Sequence, residues 1–436
     1  MKGQSEIDLK VTQMLLFVTG RFECYISSIV RKSIMHIQTN IPFRLDEVTP
    51  AWLTTALRES GILKDAKVTD LTQRIIGEET GFLGQVVILK PIYSEKEANA
   101  PESMVLKIPT PLKNRKMGQS MGVYEKEIRF YRDLKPKLRV RTPAHYYSAL
   151  NAYDDPDVVI GRLRKLNRLA MPLIAILAIA VTWFIGLFPR RYVLLIEDVS
   201  HFRMGDQLNG CSEKDVLRVL DAMAMLHAQF WDSQELASMS WVAPVELTSK
   251  LIHMTYLQAV EKYKRASKDQ LSEHQLGLIN WLKENGIGLT EVQGTCSRTL
   301  LHGDFRLDNL CFDDTAGEVL VLDWQTMTTG SSGMDLAYFL SAALPLETTE
   351  ESINEMIEHY RQALKQRGVD VSSKRLRWQY DIGMLSMLHR IAPILFQEQL
   401  ELGTDRGPEL MQGWIDKTFK KLEGVDFEHI LEQMPA

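Results

Sequence analysis

Between residues 300 and 325 the chain reads LLHGDFRLDNLCFDDTAGEVLVLDWQ, which gathers His302, Asp304, Asn309 and Asp323 into one short span. An aspartate that accepts a hydroxyl proton, followed by an amide oxygen and a second carboxylate that share a divalent cation, is the side-chain set phosphoryl transfer requires. The donors are hard oxygens, which suit Mg²⁺. TLLHGDF and EVLVLDW each carry the apolar lead-in of a short strand, so Asp304 and Asp323 are expected at strand ends and Asn309 on the loop between them. Taken singly, each of these residues is more commonly a turn former in a hairpin. The full spacing HGDxxxxN, then an apolar strand and an aspartate, favours chemistry.

The rest of the composition narrows the class. A chain of 436 residues, 45% hydrophobic and 25% charged, can bury a large core and has the length for two or three lobes. A formal net charge of -5 gives no overall electrostatic case for nucleic acid. Cys24, Cys211, Cys296 and Cys311 are scattered without CxxC spacing, which argues against a zinc site and a disulfide framework and fits a reducing cytoplasm. Near the N-terminus, Arg21 and Glu23 interrupt the apolar run MLLFVTGRFECYISSIV, so residues 1–40 read as a partly apolar helical arm, not a cleaved signal.

Three regions follow from the patterning: the arm at 1–40, a strand-rich segment at 41–204 and a mainly helical one at 205–436. VTDLTQRIIG, GQVVILKPIY, SMVLKIP and RYVLLIEDV are short β-branched or apolar runs separated by turn residues. One long helix is expected over GQSMGVYEKEIRFYRDLKPKL, ending near Pro136. SEKDVLRVLDAMAMLHAQFW opens the helical region, with Ser212 and Asp215 as a capping box and Val216, Leu220, Met223 and Phe230 as its inward face.

HGDFRLDN, VLDWQ and GMDLAYFL together resemble the aminoglycoside phosphotransferase and choline kinase superfamily, on the branch near ecdysteroid kinase-like proteins. The resemblance covers roughly residues 45 to 430. It implies an α+β, protein-kinase-like fold of two lobes: a small antiparallel sheet with one helix, then a larger helical lobe. By the same resemblance Asp304 is the catalytic base, His302 supports it within the catalytic loop, and Asn309 and Asp323 hold magnesium. Asp335, in GMDLAYFL, either braces that loop or caps the following helix.

Such a fold needs a nucleotide site in its first half. Gly81 and Gly84, in GEETGFLGQVVIL, allow a tight turn whose amides can approach ATP phosphates, although two glycines alone are a weak signal. Lys107, in MVLKIP, is either a solvated strand residue or the phosphate-binding lysine. A phosphate-binding lysine needs a carboxylate on the next helix; Glu127 is preferred and Glu125 stays open. Phe130 and Tyr131 read as core contacts of that helix. YVLLIEDVS resembles an edge strand and hinge that would offer adenine its hydrogen bonds around Glu197 and Asp198.

Residues 169–188, LAMPLIAILAIAVTWFIGLF, form an uncharged, mainly apolar run inside an insertion at 162–191. As a helix it would extend roughly 30 Å, the thickness of a bilayer core. Strands of one lobe on both sides rule out a single crossing, and Arg162, Arg164, Lys165, Arg168, Arg190 and Arg191 flank both ends. The expectation is a segment that lies in or dips into the cytoplasmic face of a membrane. The alternative is burial against the N-terminal arm or in a dimer, through the small-residue row Ala178, Thr182 and Gly186.

The function expected is an ATP- and Mg²⁺-dependent phosphotransferase acting on a hydroxyl of a small, lipophilic molecule. No motif identifies the acceptor, and Glu398 and Glu401 could equally be an acidic pocket or a solvated helix face. Two other classes remain. A protein kinase would share the fold, but LDWQ replaces the Asp-Phe-Gly turn of that class. A noncatalytic, membrane-attached nucleotide-binding module would not need Lys107, Glu127, Asp304, Asn309 and Asp323 all present.

Overall fold

Alternating apolar side chains with turns between them produce a five-stranded antiparallel sheet: β1 (Val68–Ile76), β2 (Gly84–Tyr93), β3 (Met104–Pro109), β4 (His145–Leu150) and β5 (Tyr192–Glu197), in the spatial order β1-β2-β3-β5-β4. The computed structural model describes residues 41–76, 84–109, 114–151, 153–187, 189–267, 270–396, 406–432 and 434–435. Gly81, Glu398, Glu401 and the arm at 1–40 therefore lie outside the described residues. Helix α1 (Pro50–Glu59) starts at Thr49, whose side chain accepts from the Trp52 amide. It lays Leu53, Ala56 and Leu57 on one face of the sheet, against Val87, Leu89, Leu106, Ile108, Val193 and Leu195. From the other face Tyr192, Leu194 and Ile196 join the core of the helical lobe. Coverage on both sides explains why YVLLI is apolar without alternation. It also corrects one expectation: β5 pairs with both β3 and β4, so the edges are β1 and β4.

The long helix expected after β3 is divided. Helix α2 (Asn114–Ser120) ends before Gly122, which turns the chain at φ 66°, and α3 (Val123–Arg129) begins on a new axis. The last turns, Phe130–Leu134 and Lys135–Lys137, are π and 3-10, with Pro136 stopping further propagation.

Between β4 and β5 stands a pair of helices, α4 (Pro156–Asn167) and α5 (Met171–Leu187). The insertion starts earlier than residue 162, because the Asp155 side chain accepts from the Asp157 and Val158 amides and Pro156 occupies the first helical position. Leu150 pairs with Tyr192, so the chain leaves and re-enters the sheet at the same point. Among the described residues no helix is long and apolar enough to cross a membrane. Helix α5 packs on α2 through one face and buries Ile174. Its outer face exposes Leu173, Ile176, Ile179 (70%) and Trp183 (68%). Of the basic flanks, Arg190 pairs with Asp154 (2.8 Å) and Arg191 with Glu47 (3.3 Å), so both serve the fold.

The helical lobe runs β6 (Arg203–Met204), α6 (Glu213–Phe230), α7 (Gln234–Ser238), α8 (Ser249–Ala266), α9 (Glu273–Gln293), β7 (Thr299–Leu301), β8 (Leu310–Asp313), β9 (Glu318–Val321), β10 (Thr328–Gly330), α10 (Gly333–Ala343), α11 (Glu350–Gln366), α12 (Ser373–Phe396) and α13 (Arg406–Lys421). Ser212 caps α6 by accepting from the Asp215 amide, and Val216, Leu220, Met223 and Phe230 are all buried. Strands β6, β8 and β9 form one small sheet and β7 and β10 another. Helix α5 also reaches α8, so the inserted hairpin spans both lobes.

Helices α10 and α12 cross with almost no space between backbones. A Cβ on Gly383 would fall well inside van der Waals contact of the Gly333 carbonyl oxygen, and one on Gly333 would meet the Gln379 carbonyl. Gly383→Ala should therefore cost about 1–3 kcal/mol, read as a lower urea midpoint with an unchanged slope. An unchanged midpoint would show that the crossing has slack.

Candidate active site

Lys107 stands on the opposite face of β3 from Leu106 and Ile108, which pack beneath α1. Its neighbour on that face is α3, and there Glu127 meets it: Lys107 Nζ lies 2.5 Å from Glu127 Oε1 and 3.6 Å from Asp323 Oδ1. Only 10% of the lysine side chain and none of the Glu127 side chain reaches solvent. The Tyr192 hydroxyl donates to Glu127 Oε2 at 2.9 Å and fixes the carboxylate from behind. Burial works against the lysine charge, but Asp323 and Glu127 outweigh it and raise its pKa above the usual range. Glu125 is elsewhere, bonded to Arg129 (2.9 Å) and to the Asp154 amide (3.1 Å).

The catalytic loop hangs from β7. Asp335, on the first turn of α10, accepts from the His302 amide (2.7 Å) and the Gly303 amide (3.0 Å). Ser332, not Asp335, occupies the cap position, so Asp335 braces the loop. Gly303 sits at φ 79°, and a Cβ there would collide with the Thr326 carbonyl, so the bend requires glycine. His302 is fully buried, and its Nε2 faces the Leu322 carbonyl oxygen at 2.7 Å. A carbonyl can only accept, so Nε2 carries the proton and Nδ1 accepts from the Asp304 amide at 3.3 Å. His302 is thus a positioning residue: it ties the loop bearing Asp304 to the strand end bearing Asp323.

Asp304 presents its carboxylate among donors. The Tyr338 hydroxyl donates to Oδ1, Asn309 Nδ2 donates to Oδ2 at 2.9 Å, and Arg306 Nε stands 3.4 Å from Oδ1. Burial opposes its charge, yet the Arg306 guanidinium, the Tyr338 hydroxyl and the Asn309 amide hold its pKa below the ordinary aspartate range. Arg306 and Tyr338 escaped the sequence reading. Arg306 lies inside HGDFRLDN, and Tyr338 follows Asp335 by three, on the same helical face. Phe130 stacks on Trp324 (4.1 Å, 9°), and the Trp324 ring meets His302 edge-on at 4.8 Å, so Phe130, just past the end of α3, reaches the catalytic loop.

Asn309 and Asp323 fit a divalent cation. The Leu322 amide donates to the Asn309 carbonyl at 2.8 Å, which sets the two segments side by side. The Asn309 amide nitrogen is spent on Asp304, while its side-chain oxygen accepts no hydrogen bond from the described residues. Asp323 Oδ1 is buried without a hydrogen-bond donor, and its backbone is held at φ 60°, an unfavourable value for a residue other than glycine. One carboxylate and one amide oxygen form a sparse set, appropriate to Mg²⁺, which keeps water and substrate phosphates as its other ligands.

The remaining nucleotide residues are placed less directly. Gly84 opens β2, with ordinary space for a Cβ beside Ile108. The Glu197 carboxylate accepts from the Ala144 amide at 2.9 Å and anchors β4. Asp198 is held by Ser103 and by the Ser200 amide. Side chains at 197 and 198 therefore serve the fold.

Known proteins resemble this chain in sequence or in shape. Over 126 residues the chain is 34% identical to acyl-CoA dehydrogenase family member 10 of Mus musculus, a match covering 26% of this chain and 11% of that relative's length. A choline kinase from Cryptosporidium parvum superposes with a TM-score of 0.45 at 12% identity, over 81% of this chain and 90% of that one. A macrolide 2'-phosphotransferase type I does so with a TM-score of 0.44 at 13% identity, over 86% and 98%. The model of the ecdysteroid kinase-like family matches residues 81–371, more than half of the chain and the whole span from Gly81 through the loop bearing Asp304, and the chain belongs to that family.

Proposed function

We propose that this protein binds ATP between its lobes and transfers the γ-phosphoryl group to a hydroxyl of a small, lipophilic molecule. One observation carries the proposal: the buried Lys107 charge is shared by Glu127 and Asp323, and Asp323 is tied through His302 and Asn309 to Asp304. Lys107 holds phosphate oxygens, and Glu127 keeps its ammonium aimed at them. Asn309 and Asp323 hold Mg²⁺, which when bound neutralises charge on the transferring group. The acceptor oxygen bonds to the γ-phosphorus, the bond from phosphorus to the bridging oxygen breaks, ADP leaves, and the hydroxyl proton passes to the Asp304 carboxylate.

Asp304 is a weak base, because Arg306, Tyr338 and Asn309 stabilise its anion. In a loose phosphoryl-transfer transition state the nucleophile needs little deprotonation, so Asp304 contributes chiefly by orienting the hydroxyl. Arg306, beside it, is placed to meet charge on the transferred group.

Attachment to the cytoplasmic face of a membrane belongs to the same proposal. It is supported by the apolar outer face of α5 and by exposed Arg164, Lys165 and Arg168 close to its start. A lipophilic acceptor would then be met at the surface where it dissolves.

Three outcomes are expected. Asp304→Asn should lower kcat about a hundredfold or more with labelled ATP and a panel of alcohols, while circular dichroism stays unchanged. Asp323→Ala should weaken Mg²⁺-ATP binding about tenfold or more by calorimetry. Near-normal turnover in the first variant would end the phosphotransferase assignment. The full chain should sediment with vesicles rich in phosphatidylserine, and Ile179→Ser with Trp183→Ser should release it; wild-type protein left in the supernatant would rule out the membrane surface.

A further inference from the structure

The two oxygens of the Asp304 carboxylate have different surroundings. Oδ1 faces two donors: the Tyr338 hydroxyl, which hydrogen-bonds to it, and the Arg306 guanidinium, whose Nε stands 3.4 Å away. Oδ2 has one partner among the described residues, Asn309 Nδ2 at 2.9 Å. A carboxylate oxygen accepts in two directions, so Oδ1 is taken on both sides while Oδ2 keeps one side open. The Asp304 side chain is 22% exposed, which lets a hydroxyl reach it. Oδ2 is also the oxygen next to the cation ligands: Asn309 Nδ2 bonds to it and to the Asp304 carbonyl oxygen (2.9 Å), and the other end of the same amide is the oxygen that would meet Mg²⁺.

Tyr338 is itself firmly placed. It stands one turn after Asp335 on α10, so the helix that holds the His302 and Gly303 amides through Asp335 also holds the Asp304 side chain through Tyr338. From α13 the Trp414 ring abuts the Tyr338 ring edge-on at 4.4 Å, and its indole N–H donates to Ser341 Oγ at 2.8 Å. Ser341 Oγ donates in turn to the Tyr338 carbonyl oxygen at 3.1 Å. Ring and backbone are thus both fixed, and the hydroxyl they carry restricts rotation of the carboxylate it bonds.

We propose that Tyr338 is a positioning residue which, with Arg306, fills Oδ1 of Asp304 and so leaves Oδ2 to take the acceptor hydroxyl. This rests on the phosphotransferase function proposed above and names the atom of its base that meets the acceptor. The acceptor oxygen bonds to the γ-phosphorus of ATP, the bond to the bridging oxygen breaks, ADP leaves, and the hydroxyl proton passes to Oδ2. Without the phenol hydroxyl the carboxylate is free to turn about its Cβ–Cγ bond and to accept the hydroxyl through either oxygen. Only Oδ2 lies on the side of the cation ligands, so the loss falls on alignment and not on binding.

The test uses the full chain with labelled ATP and Mg²⁺, and with water and decanediol as the two acceptors. Tyr338→Phe should lower kcat by about tenfold to a hundredfold, the effect of one hydrogen bond to a charged group, and leave KM for decanediol and the affinity for Mg²⁺-ATP within about twofold. In an Asp304→Asn background the same change should have no further effect, because the tyrosine acts through the carboxylate; a purely structural role would lower kcat equally in both backgrounds. A ring-fluorinated tyrosine at position 338 keeps the hydroxyl and should keep turnover close to that of the wild type. Its fluorine resonance gives a readout apart from activity and should move in Asp304→Leu, where the acceptor of the hydrogen bond is gone. Unchanged kcat in Tyr338→Phe, equal losses in both backgrounds, or a resonance indifferent to Asp304→Leu would overturn the positioning role. Wild-type protein that turns over neither acceptor, with the resonance still responding to Asp304→Leu, would count instead against the phosphotransferase function and not against the contact between Tyr338 and Asp304.

Discussion

A lysine placed where only a tenth of its side chain meets water needs anions close by, and much of this structure is arranged to supply them. Glu127 comes from a helix, Asp323 from a strand end in the other lobe, and Tyr192 from the strand next to β3. If α3 shifted along its axis, Lys107 and Glu127 would both be left buried and unpaired. The position of α3 against the sheet is therefore set by charge as well as by packing, and the two lobes are joined at Lys107.

Aromatic packing carries the same alignment from α3 to the chemistry. Phe130 lies flat on Trp324, Trp324 abuts His302, and His302 holds both the Asp304 amide and the Leu322 carbonyl. Through these rings the residue after Asp323 is locked to the helix that bears Glu127. Asp335 and Gly303 determine the remaining freedom of the loop: one caps its amides, the other makes the bend. None of these groups needs to touch substrate to matter, because a displacement of about 1 Å in such a site is felt in the rate.

The helical pair between β4 and β5 reaches both lobes, which ties the sheet lobe to the helical lobe by a route other than the segment after β5. One face of α5 is used for this, and the other presents leucine, isoleucine and tryptophan outward.

The residue pattern alone marked the strand-rich and helical regions and the loop bearing Asp304, Asn309 and Asp323, because period-two alternation, capping and turn chemistry are local properties, while the two-lobe fold came from the resemblance of HGDFRLDN, VLDWQ and GMDLAYFL to a known superfamily. It left Glu125 and Glu127 unresolved, since both sit on one short helix, and it read α2 and α3 as continuous because a single glycine within a helical pattern is often tolerated. It placed a hinge around Glu197 without assigning the side chain, which the fold uses to anchor β4. Tertiary structure decided those points, along with the bracing role of Asp335 and the pairing of Arg190 and Arg191 with acids. Each depends on how helices cross and which side chains face across a gap, and such distances between residues far apart in the chain have no signature in the sequence around either partner.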